Sequence, residues 1–144
     1  MFMLNELLIK ELSNQVEINT SDITNIKNGE LLSTNEIKTN ETFIDGKPIY
    51  RKMFYVSSLP DATATAYQHG ISNVDNIWCD ISNSFIDWKN NSGVAPLNYI
   101  GGTSFNSIVE VRAFTKTSFT IDTHSTNRSG LCGYVTLKYT KTTD

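Results

Sequence analysis

The chain has 144 residues, with 12 Lys+Arg against 15 Asp+Glu and a net charge of -3. That length suits one modest domain plus an appendage, and the charge offers no basic footprint for nucleic acid. Two cysteines make no disulfide framework, and no apolar run approaches the ~18 residues of a membrane-crossing helix.

Thr, Asn and Ser number 17, 15 and 14. Such a surplus suits β-structure with side-chain-capped turns and a neutral, hydrogen-bonding surface. The opening Met1-Phe2-Met3-Leu4-Asn5-Glu6-Leu7-Leu8-Ile9-Lys10 is broken by Glu6 and Lys10 and lacks a cleavage site, so it does not read as a secretory signal. The expectation is a protein kept inside a cell or released without a signal, as a virus particle is.

No Gly or Pro occurs before Gly29, and Asn28-Gly29 reads as a helix stop. Residues 1–28 are therefore expected to be helical, with a seven-residue repeat. Ile9, Val16 and Ile23 share one seam position and Leu12, Asn19 and Ile26 the other. Residues 2–27 would make a rod about 39 Å long. A seven-residue apolar seam makes helices wrap around one another, and a lone Asn in it selects register and strand number. Leu4, Leu7 and Leu8 also allow an amphipathic helix lying on its own domain. Self-association is the favoured reading, with Asn19 within a Val16-x-x-Asn19-Thr20-x-x-Ile23 heptad similar to the Asn-containing heptads of trimeric adhesin and fibre stalks.

Residues 29–40 read as a linker holding one strand or turn, too polar for a core element. The remainder, 41–144, reads as strands. Ile49–Ser58 is aromatic and β-branched. Val74–Ser82 sets Ile77, Cys79 and Ile81 against Trp78 and Asp80, and Ile108–Phe114 sets Val109, Val111 and Ala113 against Glu110 and Arg112. Ser118–Thr123 is expected to bury Phe119 and Ile121. Tyr134–Thr140 is expected to bury Val135, Leu137 and Tyr139 while displaying Thr136 and Lys138. Period-two alternation with one polar face marks antiparallel sheets, here a sandwich of seven or eight strands. Asp45-Gly46, Ser92-Gly93, Gly101-Gly102 and Ser129-Gly130 supply turns. The fold class expected is mostly β: an N-terminal α-helix forming a trimeric coiled coil, then an antiparallel, jelly-roll-like β-sandwich head.

Three phrases occur in order: Phe43-Ile44-Asp45-Gly46-Lys47-Pro48-Ile49-Tyr50-Arg51-Lys52, His69-Gly70-Ile71, and Arg128-Ser129-Gly130 followed by Tyr134 through Asp144. Together they resemble the terminal globular domain of bacteriophage fibre and minor structural proteins. The resemblance covers roughly 41–144 and implies a β-sandwich head on a homotrimeric virion fibre exposed to the host surface. It supplies no catalytic residue; no enzyme activity and no cofactor are expected from the residues themselves, a glycan-degrading enzyme being the third alternative. A capsid-mounted head fibre, a tail fibre and a capsid decoration protein are the forms considered. Expected partners are the chain itself, other virion proteins through the helix, and host surface glycans; nucleic acid and membrane are not expected.

The candidate ligand-binding residues are Trp88, Asn90, Asn91 and Tyr99. An indole beside amides in a loop suits a sugar, the ring stacking on its apolar face while the amides bond hydroxyls. The bland alternative has Trp88 plugging a sheet edge or a trimer axis. Asp122-x-His124 puts two metal-ligand types on one strand face, but no third ligand stands at suitable spacing, and no metal is assigned. Asp75, Asp80 and Asp87 are expected to serve packing and turns rather than glycan hydrolysis. His69 is expected to cap a turn or pack at a strand end. Cys79 and Cys132 are expected to be free thiols.

Overall fold

A computed structural model describes residues 2–30, 32–89, 93–100 and 108–143. The protein is mostly β, with antiparallel sheets and one N-terminal helix. Helix α1 spans Phe2–Glu30, slightly past the expected stop, and Gly29 lies inside its last turn. Helix ends fray over a residue or two, so the difference is local. Side-chain bonds support the helix at i,i+4 spacing: Gln15 Nε2 donates to Asn19 Oδ1 at 3.1 Å, and Thr20 Oγ1 to the Val16 carbonyl at 2.8 Å.

Ten strands follow among the described residues, more than expected: β1 (Ile37–Thr42), β2 (Pro48–Val56), β3 (Ala64–Gln68), β4 (Val74–Cys79), β5 (Phe85–Asp87), β6 (Val94–Pro96), β7 (Tyr99–Ile100), β8 (Ile108–Arg112), β9 (Ser118–Asp122) and β10 (Cys132–Lys141). One sheet runs β1-β2-β10-β5-β6, with β4 also on β10; the other runs β3-β9-β8-β7. The chain changes sheet four times, and its last strand inserts at the centre of the first sheet. Every strand pairing is antiparallel.

The two sheets share one core. Val56, Ile86, Val135, Leu137 and Tyr139 come from the first, and Val109, Val111, Phe119 and Ile121 from the second, with Leu59, Ile71 and Leu97 added from connections. Phe119 meets Phe54 at 5.9 Å and Tyr67 at 5.7 Å between ring centroids, which ties the sheets together. Gly133 lies on this same face of β10, opposite Val56 and Ile86. The space a side chain would take there holds Leu59, whose Cδ2 would lie 3.0 Å from a Cβ added at Gly133.

Several expectations are corrected. The one strand allowed in the linker is β1, beginning at Ile37, but the segment is not too polar for the core: Ile37 and Thr39 are buried. Thr39 is tolerated there because its hydroxyl donates to the Ile49 carbonyl at 2.8 Å. The connector before it is also held, since Met53 N–H donates to the Ser33 carbonyl at 2.8 Å. Ile81 is exposed, because β4 ends at Cys79 and Ile81–Asn83 form a 3-10 turn. Ala113 lies beyond β8, exposed and at φ +51°.

Thr136 is buried rather than displayed. β4 and β5 act as one interrupted strand along β10, and the 3-10 turn closes over the gap at Thr136. There Thr136 N–H donates to Ser84 Oγ at 2.9 Å, its hydroxyl to the Asn83 carbonyl at 2.6 Å, and its carbonyl accepts from Asp80 N–H at 2.8 Å. Every polar group of that residue is thus used inside the fold.

Candidate functional site

The three phrases behind the family resemblance map onto structural devices. Asp45-Gly46 turns β1 into β2: Gly46 stands at φ +86°, a conformation open to glycine, and Asp45 Oδ1 accepts from Lys47 N–H at 3.0 Å. Lys47 then reaches across to Asp75, and that hydrogen bond holds its ammonium above the ordinary lysine value. Phe43 packs on Trp78 with centroids 5.4 Å apart. His69 is buried, with Nδ1 accepting from Ile71 N–H at 3.1 Å and Nε2 at 3.3 Å from the Thr115 carbonyl. The imidazole is thus the Nε2–H tautomer, capping the turn as expected. Arg128 N–H donates to the Pro60 carbonyl at 3.1 Å.

The ligand-loop residues are only partly placed. Trp88 follows β5, half-buried, with the Arg128 guanidinium over its ring at 5.3 Å. One indole face is therefore already engaged by a cation. Asn90 and Asn91 lie outside the described residues; Tyr99 sits in β7, its side chain undescribed. The four are not shown to converge.

The aspartates weighed for hydrolysis have structural partners. Asp75 pairs with Lys47, Asp80 Oδ2 accepts from Asn83 Nδ2 at 2.9 Å, and Asp87 Oδ1 from Lys89 N–H at 2.8 Å. Cys79 and Cys132 are free thiols. Cys79 lies opposite Leu137, five residues along β10 from Cys132, which puts them about 17 Å apart, too far to bridge. Burial pushes the Cys79 thiol up, so it is a poor nucleophile.

The helix presents the clearest unpartnered surface. Ile9, Leu12 and Val16 are 63%, 63% and 62% exposed, and Leu8 is exposed beside them. Every described side chain from Asn5 to Thr20 faces solvent, so this stretch does not lie on its own sheets. Asn19 continues the seam one heptad after Leu12; the Ile23 and Ile26 side chains lie outside the description.

Asp122 and His124 do come together, and a third group joins them. Glu110 on β8 stands opposite Asp122 on β9, and its Oε1 lies 3.5 Å from His124 Nε2. Arg112 bonds Asp122 through Nη2, with its Nε 3.4 Å from Glu110 Oε1. Sequence spacing could not reveal Glu110 as a partner, because twelve residues separate it from Asp122 and only strand register brings them face to face.

Compared with protein-family models, curated proteins and solved structures, the chain matches none.

Proposed function

We propose that the chain is a homotrimeric bacteriophage virion fibre protein whose helix bundles three copies as a coiled coil and whose β-sandwich head is displayed for attachment to the host surface, a glycan being the ligand class. The observation that carries this reading is the bare stripe Ile9, Leu12 and Val16 at alternating four- and three-residue spacing. Three long apolar side chains left in water along one line are a surface awaiting equivalent surfaces. Burying each adds about 1–2 kcal/mol per chain. Self-association through that seam would present three identical heads together. Weak sites linked in this way act at high effective concentration, so a modest affinity per head suffices to hold a cell. In this reading the chain performs no chemistry of its own, and other virion proteins hold the base of the helix.

The Arg128 guanidinium over Trp88 favours a second reading, a capsid head fibre or decoration protein without a host ligand. A ring face already covered by a cation offers less to a sugar, and the indole then serves as a structural plug.

Sedimentation equilibrium of the full chain tests the assembly. Three copies are expected for the native chain and a single copy for Leu12→Asp, with the β signature of the body retained. A native chain that sediments as one copy at micromolar concentration ends the proposal. Saturable binding to host cell-wall glycans supports attachment; an intact trimer without it supports the architectural reading.

A further inference from the structure

We propose that Glu110, Asp122 and His124 form a binding site for a zinc-like transition-metal dication, closed by Arg112 when no ion is bound. This goes beyond the fibre reading and does not depend on it.

Strand register builds the site. Val109, Val111, Phe119 and Ile121 face the core, so Glu110 and Arg112 on β8 and Asp122 on β9 occupy the opposite face. His124 follows β9 at φ +52°, its backbone N–H donating to Asp122 Oδ1 at 2.7 Å. One donor atom from each of Glu110, Asp122 and His124 lies within 4.8 Å of the other two. A tetrahedral zinc with bonds of about 2.0–2.1 Å has ligand atoms about 3.4 Å apart. The His124 Nε2 to Glu110 Oε1 edge, at 3.5 Å, already fits that geometry. Closing the remaining edges takes side-chain shifts of about 1 Å, with no change of register.

Electrostatics points the same way. Two carboxylates directly opposite one another on paired strands repel, and a cation between them removes the conflict. Arg112 supplies one positive charge against two negative ones, leaving the cluster one charge short. A dication in its place balances both carboxylates. The Arg112 side chain is 52% exposed, so it can swing into water as the ion enters. One imidazole nitrogen with two carboxylate oxygens suits zinc and its neighbours; calcium and magnesium take six or more oxygens. A fourth position stays open to water. The bound ion would tie β8 to β9 and to the turn that follows, a cross-link on a sheet with no disulfide.

Calorimetric titration of the tag-free full chain with zinc chloride, with magnesium chloride in parallel, tests this. One zinc per chain and no magnesium binding are expected. His124→Asn keeps a residue that tolerates positive φ and removes the nitrogen ligand; its zinc affinity should fall by at least about tenfold. Arg112→Ala removes the competing cation and should bind zinc more tightly than the native chain, a gain that misfolding does not produce. Zinc binding unchanged in His124→Asn would place the ion elsewhere, on His69 or the thiols, and overturn the site. So would a native chain that takes up no zinc at millimolar concentration, or an Arg112→Ala chain that binds no more tightly.

Discussion

At the residue scale, the body is held by small and polar side chains doing unusual jobs inside it. Thr123 is fully buried where β9 gives way to its turn. Its hydroxyl lies 3.2 Å from the Pro60 carbonyl and 3.3 Å from that of Thr63, pinning the connection between the sheets. His69 acts similarly for the turn before β4, its two nitrogens engaged with backbone on both sides. Gly133 is needed for want of a side chain, because Leu59 fills the space beside it. Gly133→Ala should cost about 1–3 kcal/mol, from the forced shift of Leu59 in a close-packed interior. Urea denaturation checks this, and an unchanged midpoint would show that Leu59 yields without cost. His69→Ala should cost roughly 2–4 kcal/mol, since it leaves Ile71 N–H and the Thr115 carbonyl without their partner and opens a cavity.

At the scale of elements, what was legible locally came from period-two alternation. Val109 and Val111, Phe119 and Ile121, and Val135, Leu137 and Tyr139 all face the core as that pattern demands. What was not legible is which second faces are covered. Thr136 and Thr140 on the opposite face of β10 are both buried; the 3-10 turn closes over Thr136, and the neighbouring strand β4 bonds Thr140, whose Oγ1 accepts from Asn76 N–H at 3.2 Å. A polar residue at a polar phase looks exposed until a distant segment arrives. The helix is the converse case: its seven-residue spacing was readable, and whether its own body would cover the stripe was not. In the proposed three-stranded coil, Asn19 sits at a core layer and sets the number of strands. Asn19→Leu should keep the helix while broadening the distribution of oligomers on sedimentation, and an unchanged pure trimer would show that the apolar seam alone selects three.

Across the whole molecule, the segment leading into β1 is fastened to the last strand by charge. Glu36 takes a hydrogen bond from Tyr139 Oη at 2.6 Å and pairs with Lys141. Partial burial pushes the Glu36 carboxyl up, but bonds from Lys141 and Tyr139 and the nearby charges of Lys141 and Lys52 outweigh it, leaving the group below its usual 4.5. A lowered carboxyl contributes stability above pH 4.5 that is lost as pH falls through the folded value. Burial first, and then the Glu36 bond and charge, raise the Tyr139 phenol above its usual 10.0. That contribution is complete below pH 10 and is lost as pH climbs above it. Tyr139→Phe should therefore flatten the alkaline limb of a stability–pH curve and shrink the acid limb. Denaturant midpoints measured from pH 3 to 11 check this, and an alkaline limb as steep as the native one would contradict it.

The sequence by itself determined the division into an N-terminal helix, free of Gly and Pro up to Asn28, and a strand-rich body, and it determined most core-facing positions. Those are properties of neighbouring residues, written in backbone propensity and local periodicity. Only the tertiary structure decided that β1 belongs to the body, that Thr136 is inside, that Trp88 lies beneath Arg128, and that Glu110 completes a set with Asp122 and His124. Each of those depends on which strands become neighbours and in what register, a choice made by contacts between segments far apart in the chain.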